Sequence, residues 1–364
     1  MTCGARAFIR LDALEHNFRR IRSVANGARV LAVVKANAYG HGLSAVARKL
    51  TEADGFAVAR YDEAVELFEL GLKKPVVILE GFADATELGG TLERSLQPVV
   101  HCEQQIRLLE RAAPGHATVW LKLDTGMHRL GFRPEHTSTL VARLNTCKSV
   151  SEVRLMTHLA SADVKSSDTT ARQLEVFRKA VEAFDGDISV ANSPGIFGWP
   201  GAISAGVDPA RSWVRPGICL YGISPFADSC GRHLGLRAVM EFEATLIAVK
   251  AIRKGDRVGY GGTWEAPEDT VLGIVAAGYG DGYTRFLPSG TPVLVAGRRA
   301  SLAGTVSMDM AAVDLGPGAG EQPGAPVTLW GGELPVEEVA AHAGTIAYQL
   351  VCGVTGRPRR IITD

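Results

Sequence analysis

The fold class that the sequence predicts is α/β: an N-terminal (β/α)₈ barrel over residues 1–231, followed by a mostly β domain over 232–364. Three observations predict it. Short β-branched runs alternate with helical patterns in eight successive units before residue 222. Glycine is divided unevenly, with 20 in residues 1–231 and 21 in the much shorter stretch 232–364, which marks a change of architecture. The length of 364 residues exceeds what one hydrophobic core usually fills, so two domains are expected.

Eight strands are expected at Val30–Lys35, Phe56–Ala59, Val76–Leu79, Pro98–His101, Thr118–Leu123, Val153–His158, Ile188–Ala191 and Gly217–Tyr221. Between them, apolar residues at helical spacing predict helices such as Leu11–Val24, Tyr61–Leu70, Glu103–Ala112 and Thr170–Phe184. A doubly wound open sheet would give a similar alternation, and the count of eight favours the barrel. In the tail, Met240–Val249, Val271–Ala277, Pro292–Ala296, Ala300–Val313 and Pro326–Trp330 are strand-like between Gly- and Pro-bearing turns, and only Val336–His342 has a helical pattern.

Composition excludes several classes. Basic and acidic residues number 39 each, so neither a nucleic acid nor an anionic membrane is the expected partner. The longest apolar run, near Val271–Ala277, is too short to span a bilayer, and the first ten residues carry no apolar export signal. The six cysteines form no C-x-x-C, which suggests neither a metal site nor a disulfide framework. A cytoplasmic location is therefore expected.

The chemistry is expected at the C-terminal ends of the barrel strands. Lys35 ends an apolar strand and is followed by Ala36-Asn-Ala-Tyr-Gly-His-Gly42. A barrel mouth disfavours the ammonium form, and a neutral amine can form a Schiff base. A lysine that merely snorkels from a strand end is the competing reading. Tyr39 and His41 between glycines weigh for chemistry. Next, Lys122 and Asp124 end a buried strand, and an Asp-Thr-Gly turn then presents Arg129, whose fork suits a carboxylate. An inward Lys122 needs an acidic partner or covalent neutralisation, and an ion pair with Asp124 would supply the first.

Later strand ends add His158, Asn192 with Ser193, and Arg215 just ahead of the last predicted strand, each also readable as a core or turn residue. In the tail, Tyr260 and Tyr279 each stand between glycines that allow sharp turns. Asp309 interrupts an apolar strand and demands a partner if buried.

Taken together, VVKANAYGHG around Lys35, LDTGMHRLG around Arg129, and then THLASAD, ANS, WVRPGICLYG, VGYGGTW, GYGDGY and VSMDM resemble the alanine racemase family, fold-type III enzymes that use pyridoxal 5′-phosphate. The resemblance runs from Phe8 to about Arg360. It implies a head-to-tail homodimer with shared active sites, acting on L- and D-alanine. Lys35 would hold the cofactor and act as the base facing D-alanine, and Tyr260 of the partner subunit would be the base facing L-alanine.

The same resemblance assigns the substrate carboxylate to Arg129, steadied by a carbamate on Lys122, and to the main-chain amide of the partner's Met308. It implies that Tyr39, Ser193, Gly217 and Ile218 cradle the phosphate, with Asn192 beside them. Arg215 would face the pyridine nitrogen and His158 would bridge Arg215 to Tyr260. Asp163 and Tyr279 would stand at the substrate entrance, with Asp309 in support. No metal is implied. The chain departs from many relatives in lacking a tyrosine within Cys352–Arg357, in having Gly304-Thr305 where they have Gly-Arg, and in extra length between Ser193 and Arg215.

The rival readings are a racemase for serine or a basic amino acid, a non-catalytic pyridoxal-phosphate carrier, and a Schiff-base aldolase on the same barrel. The tail with Tyr260 argues against the last two. Both D-alanine supply for peptidoglycan and alanine catabolism fit the sequence.

Overall fold

A computed structural model describes residues 4–364, so Cys3 lies outside the described residues. The chain divides into two compact units. One comprises residues 17–38 and 43–220; among the described residues, the other comprises 4–16, 39–42 and 221–364.

The first strand, β1 (Arg6–Arg10), precedes a long amphipathic helix, Leu11–Ala25. A closed parallel barrel follows in the first unit: β2 (Arg29–Val33), β3 (Gly55–Val58), β4 (Val76–Ile78), β5 (Gln97–Val100), β6 (Ala117–Lys122), β7 (Val150–Met156), β8 (Ile188–Asn192) and β9 (Ser212–Arg215). The strands are buried nearly throughout, as parallel strands covered by helices must be. Within the barrel, Trp120 of β6 meets Trp213 of β9 edge-on at 6.0 Å. The Arg29 guanidinium lies 4.5 Å over the Trp213 ring, and the Asp187 carboxylate takes both Arg29 Nη2 at 2.6 Å and Trp213 Nε1 at 2.9 Å. Those contacts tie neighbouring strands together.

The last barrel strand differs from expectation. It is Ser212–Arg215 and not Gly217–Tyr221, because Pro216 has no N–H to continue a ladder and Ile218–Tyr221 then winds into a 3₁₀ turn. Arg215 consequently ends the strand instead of preceding it, which puts it on the C-terminal rim of the barrel. The extra length between Ser193 and Arg215 forms short helices at Ser193–Gly198 and Pro200–Ser204 and a 3₁₀ turn at Pro209–Arg211.

The second unit is mostly β. Its strands are β10 (Met240–Ile252), β11 (Arg257–Val258), β12 (Trp264–Glu265), β13 (Thr270–Val275), β14 (Pro292–Val295), β15 (Arg298–Leu302), β16 (Ala311–Asp314), β17 (Pro326–Trp330) and β18 (Arg359–Thr363). An eight-stranded sheet runs in the order β13-β16-β15-β14-β17-β10-β1-β18, with a further β13–β10 pairing. A bulge at Leu246/Ala248 bends β10 so that its two halves meet different partners.

The expected strand Ala300–Val313 is two strands, separated by a loop in which Ser307 Oγ and N both donate to Met310 O, at 2.6 and 2.9 Å. Asp309 therefore sits in an exposed turn and not in a strand. A second helix, Ala347–Cys352, joins the expected Val336–His342, and the short, arginine-bearing β1 and β18 had no strand signature.

Candidate active site

Lys35 lies just beyond β2, half-buried. The four residues after it, Ala36, Asn37, Ala38 and Tyr39, have φ between 52° and 54°, a left-handed turn built from L-residues other than glycine. Each costs roughly 1–2 kcal/mol relative to the right-handed form. The turn persists because its polar groups are bound: Ala36 N–H donates to Glu63 Oε1 at 2.6 Å, Ala38 N–H to Val34 O at 2.8 Å, and Leu43 N–H to Asn37 Oδ1 at 2.8 Å. Strain concentrated beside one lysine is what a functional site leads one to expect. Glu63 had no functional signature in the sequence beyond its capping position in the helix Tyr61–Glu69.

Strand pairing brings the other groups to the same rim. β2 pairs in parallel with β9, Val30 opposite Val214, and the Val33 amide donates to Pro216 O at 2.9 Å, so Lys35 and Arg215 follow neighbouring strands onto the same rim, where both charges act on Lys122 and His158. Asn192 lies opposite Arg215 in the β8–β9 register. Arg215 is buried, and all four of its hydrogen bonds go to neutral acceptors: Ser189 Oγ at 2.5 Å, Thr157 O at 2.6 Å, Val190 O at 3.1 Å and His158 Nδ1 at 3.3 Å. Burial lowers its guanidinium to about 10, which still leaves it charged at neutral pH. Burial first, then repulsion from Arg215, Lys122, Arg129 and Lys35, holds the His158 imidazole well below its ordinary value, so the ring is neutral.

Lys122 ends β6 with its side chain buried. Burial, followed by the charges of Arg215, Arg129 and Lys35, brings its amine down to about 8. Asp124 does not neutralise it as an ion-pair partner would; its Oδ1 accepts the Gly126, Met127 and His128 amides at 3.0 to 3.1 Å and shapes the turn that exposes Arg129.

An anion cradle stands at the neighbouring strand ends. Ser193 Oγ, which is buried, receives the Gly217 amide at 2.9 Å and the Cys219 amide at 3.5 Å. Asn192 caps the short helix after β8 by accepting Gly195 N–H at 3.1 Å. Converging amides, a hydroxyl and a nearby buried cation fit a phosphorylated aromatic cofactor. Asp163 is exposed in the loop after β7.

The remaining candidates belong to the mostly β unit and point outward. Tyr260 is 71% exposed in a turn where Gly259, Gly261 and Gly262 all have positive φ. Met308 and Tyr279 are 53% and 38% exposed. Thr263 and Thr305 share a hydroxyl hydrogen bond at 3.1 Å, so Thr305 braces the Tyr260 turn. Asp309 has the partner expected of it, though in the open: Arg357 Nη1 at 2.7 Å.

Residues 9–225 match the family of alanine racemase N-terminal domains, and residues 239–362 match that of alanine racemase C-terminal domains. The chain belongs to the alanine racemase family. The alanine racemase of Vibrio cholerae is 48% identical over 356 residues, 97% of each chain. That of Shewanella sediminis is 48% identical over 354 residues, again 97% of each. Among solved structures, the biosynthetic alanine racemase from Pseudomonas aeruginosa superimposes with a TM-score of 0.95 at 41% identity, covering 100% of both chains. The alanine racemase from Acinetobacter baumannii does so with a TM-score of 0.91 at 36% identity. Alanine racemases use pyridoxal 5′-phosphate, in keeping with the cradle at Ser193 and Gly217. No helix among the described residues is long and apolar enough to cross a membrane.

Proposed function

We propose that the chain interconverts L-alanine and D-alanine by moving a proton between the two faces of the substrate, with Lys35 and Tyr260 of the partner subunit as opposed bases. Membership of the alanine racemase family makes it an isomerase. The observation that supports the residue assignment best is the Arg215–His158 pair on the rim that also carries Lys35. Pyridoxal 5′-phosphate, when bound, supplies a conjugated acceptor for the electron pair left on the α-carbon.

Lys35 Nζ holds the cofactor and takes or returns the α-proton on the D face. Ser193, the Gly217 and Ile218 amides, and Tyr39 bind the phosphate, with Asn192 fixing the helix start beside them. Arg215 would face the ring nitrogen of the bound cofactor and donate to it without surrendering a proton, because its guanidinium remains protonated at neutral pH. Arg129 binds the substrate carboxylate, assisted by the main-chain amide of the partner's Met308, and Asp163 and the partner's Tyr279 border the entrance.

A phenol is a weak base at neutral pH unless its anion is stabilised. His158 meets that need: with Nδ1 occupied by Arg215, its remaining N–H at Nε2 is free to face a phenolate. The exposure of Tyr260, Tyr279 and Met308 together supports a shared-site homodimer, in which these groups complete the other subunit's site. A cytoplasmic setting suits this soluble-type chemistry, whether the product feeds peptidoglycan or catabolism.

The test is incubation with each L-amino acid in deuterated water followed by chiral analysis. L-Alanine should yield D-alanine labelled at the α-carbon. Faster turnover of serine or of a basic amino acid would replace the substrate assignment.

A further inference from the structure

We propose that Arg357 is a positioning residue that sets the direction of the Met308 amide and so the grip on the substrate carboxylate. The inference rests on the assignment of that amide to the carboxylate made above.

Three chain segments meet at the Arg357 guanidinium. Its Nε and Nη2 form a fork onto Asp281, at 2.7 Å to Oδ1 and 2.7 Å to Oδ2. Its Nη1 reaches Asp309 Oδ1 at 2.7 Å, and Nη2 also donates to Met308 O at 3.1 Å. Asp281 is buried, and its Oδ2 accepts the Gly278 amide at 2.9 Å, so the carboxylate joins the Tyr279 turn to the arginine. Thr355 ties the third segment in, donating from Oγ1 to Gly280 O at 2.8 Å.

The peptide planes then follow. Tyr279 N–H donates to Ser307 O at 3.0 Å, and Gly280 N–H donates to Met308 O at 2.9 Å. A trans peptide points its N–H opposite to its C=O. With the Ser307 carbonyl directed at the Tyr279 turn, the Met308 N–H of the same peptide faces away from that turn, and Met308 itself is exposed. The Arg357 fork holds the next peptide, through Met308 O, and holds Asp309 beside it. Close approach is required throughout: a Cβ at Gly280 would lie 2.9 Å from the Arg357 guanidinium carbon, and one at Gly278 would lie 2.3 Å from Ser307 O.

This gives a task to the segment in which many relatives carry a tyrosine. Arg357 touches neither reacting atoms nor, by this reading, the substrate. Its effect runs through one backbone amide that binds the carboxylate equally in substrate and transition state, and such binding is expressed in KM.

The experiment compares Arg357→Lys, which keeps a charge but loses the fork, with Asp309→Asn, which leaves the buried Asp281 pair intact. In folded dimers of each, KM should rise for both alanine enantiomers, about tenfold in Arg357→Lys and less in Asp309→Asn, with kcat within about twofold. The inhibition constant of propionate, which offers only the carboxylate, should rise in parallel. The cofactor's absorption spectrum should not move. An unchanged KM and propionate constant in both folded variants, or a fall in kcat with KM constant, overturns the proposal.

Mixed dimers separate this result from the shared-site reading. A wild-type chain paired with a Lys35→Ala/Arg357→Lys chain should show the raised KM, and an Arg357→Lys chain paired with Lys35→Ala should show the normal one. The reverse pattern would support the clamp and overturn the partner-supplied site.

Discussion

Arg215 donates from Nη2 to Nδ1 of His158 across 3.3 Å, and this contact fixes the imidazole as a neutral ring with its proton on Nε2. A guanidinium has only donors, so Nδ1 must accept. Four neighbouring cations oppose a second proton on the ring. The pair therefore carries the influence of a buried positive charge outward without itself titrating near neutrality. That is the property needed beside a phenol asked to act as a base.

The sharpest expectation separates two tyrosines that sit in similar glycine turns. Tyr260→Phe removes only the hydroxyl and should lower turnover by about 10²–10⁴-fold, the usual worth of positioned proton transfer. The loss should be greatest from the L side, with deuterium exchange at that face abolished and the bound cofactor unaffected. Tyr279→Phe should act mainly on KM. Reversed phenotypes would move the base assignment to Tyr279.

Borohydride should fix the cofactor on Lys35. Peptide mapping after reduction checks this, and an adduct on any other lysine would remove the basis of the site. The strained turn that follows Lys35 leads us to expect that Ala36→Gly and Ala38→Gly keep labelling intact, because glycine takes φ near 54° without steric cost.

Exposure of Tyr260 predicts complementation. Chains carrying Lys35→Ala and chains carrying Tyr260→Phe should each be inactive alone and regain activity when mixed dimers form. One of the two sites in such a dimer has both bases. Verified mixed dimers without activity would mean that each site is built within one chain.

Lys122 supplies a prediction in two parts. Its amine, lowered from 10.5 to about 8, is partly neutral at working pH and lies among Arg215, Arg129 and Lys35, three charges that repel an ammonium and attract a carbamate. Carbon-13 bicarbonate should therefore give a carbamate signal by NMR that disappears in Lys122→Gln. In carbon-dioxide-free buffer the sign of the linkage is opposite to that of an ion-paired lysine. The unfolded chain binds the extra proton between about pH 8 and 10.5, so the burial penalty is full below that window and is relieved as pH rises through it. Melting temperature relative to Lys122→Met should rise over the same interval.

Much of this was legible in the sequence, and the particular failures have physical causes. The barrel was readable because buried parallel strands are uniformly apolar, and Lys35, Lys122 and Arg215 stood out as charges at their ends. The last strand was misplaced because Trp213-Val-Arg is shorter than the apolar run Gly217–Tyr221, and only Pro216 marks where the ladder must stop. Asp309 reads as part of a strand because Ala303 and Val306 on one side and Ala311 on the other resemble one continuous apolar run. β1 and β18 escaped notice because each depends on the other, and no local pattern reports a partner hundreds of residues away. The same holds for Glu63, Ser189 and Arg357, whose tasks exist only once the chain has closed on itself.

That dependence of β1 on β18 has an effect during synthesis. Arg6–Arg10 leaves the ribosome before the whole barrel, whereas Arg359–Thr363, to which it pairs in parallel from Arg6↔Arg359 to Arg10↔Thr363, leaves after it. β1, with Ala7 and Ile9 destined for complete burial, must wait for the whole barrel to be made before either flank is covered, by β10 and then by β18. A chain without β18 would present a bare row of N–H and C=O groups along β1, the kind of edge that recruits other strands. The five residues of β18 thus act as a cover strip, and removing them would turn a quiet flank of β1 into an adhesive one.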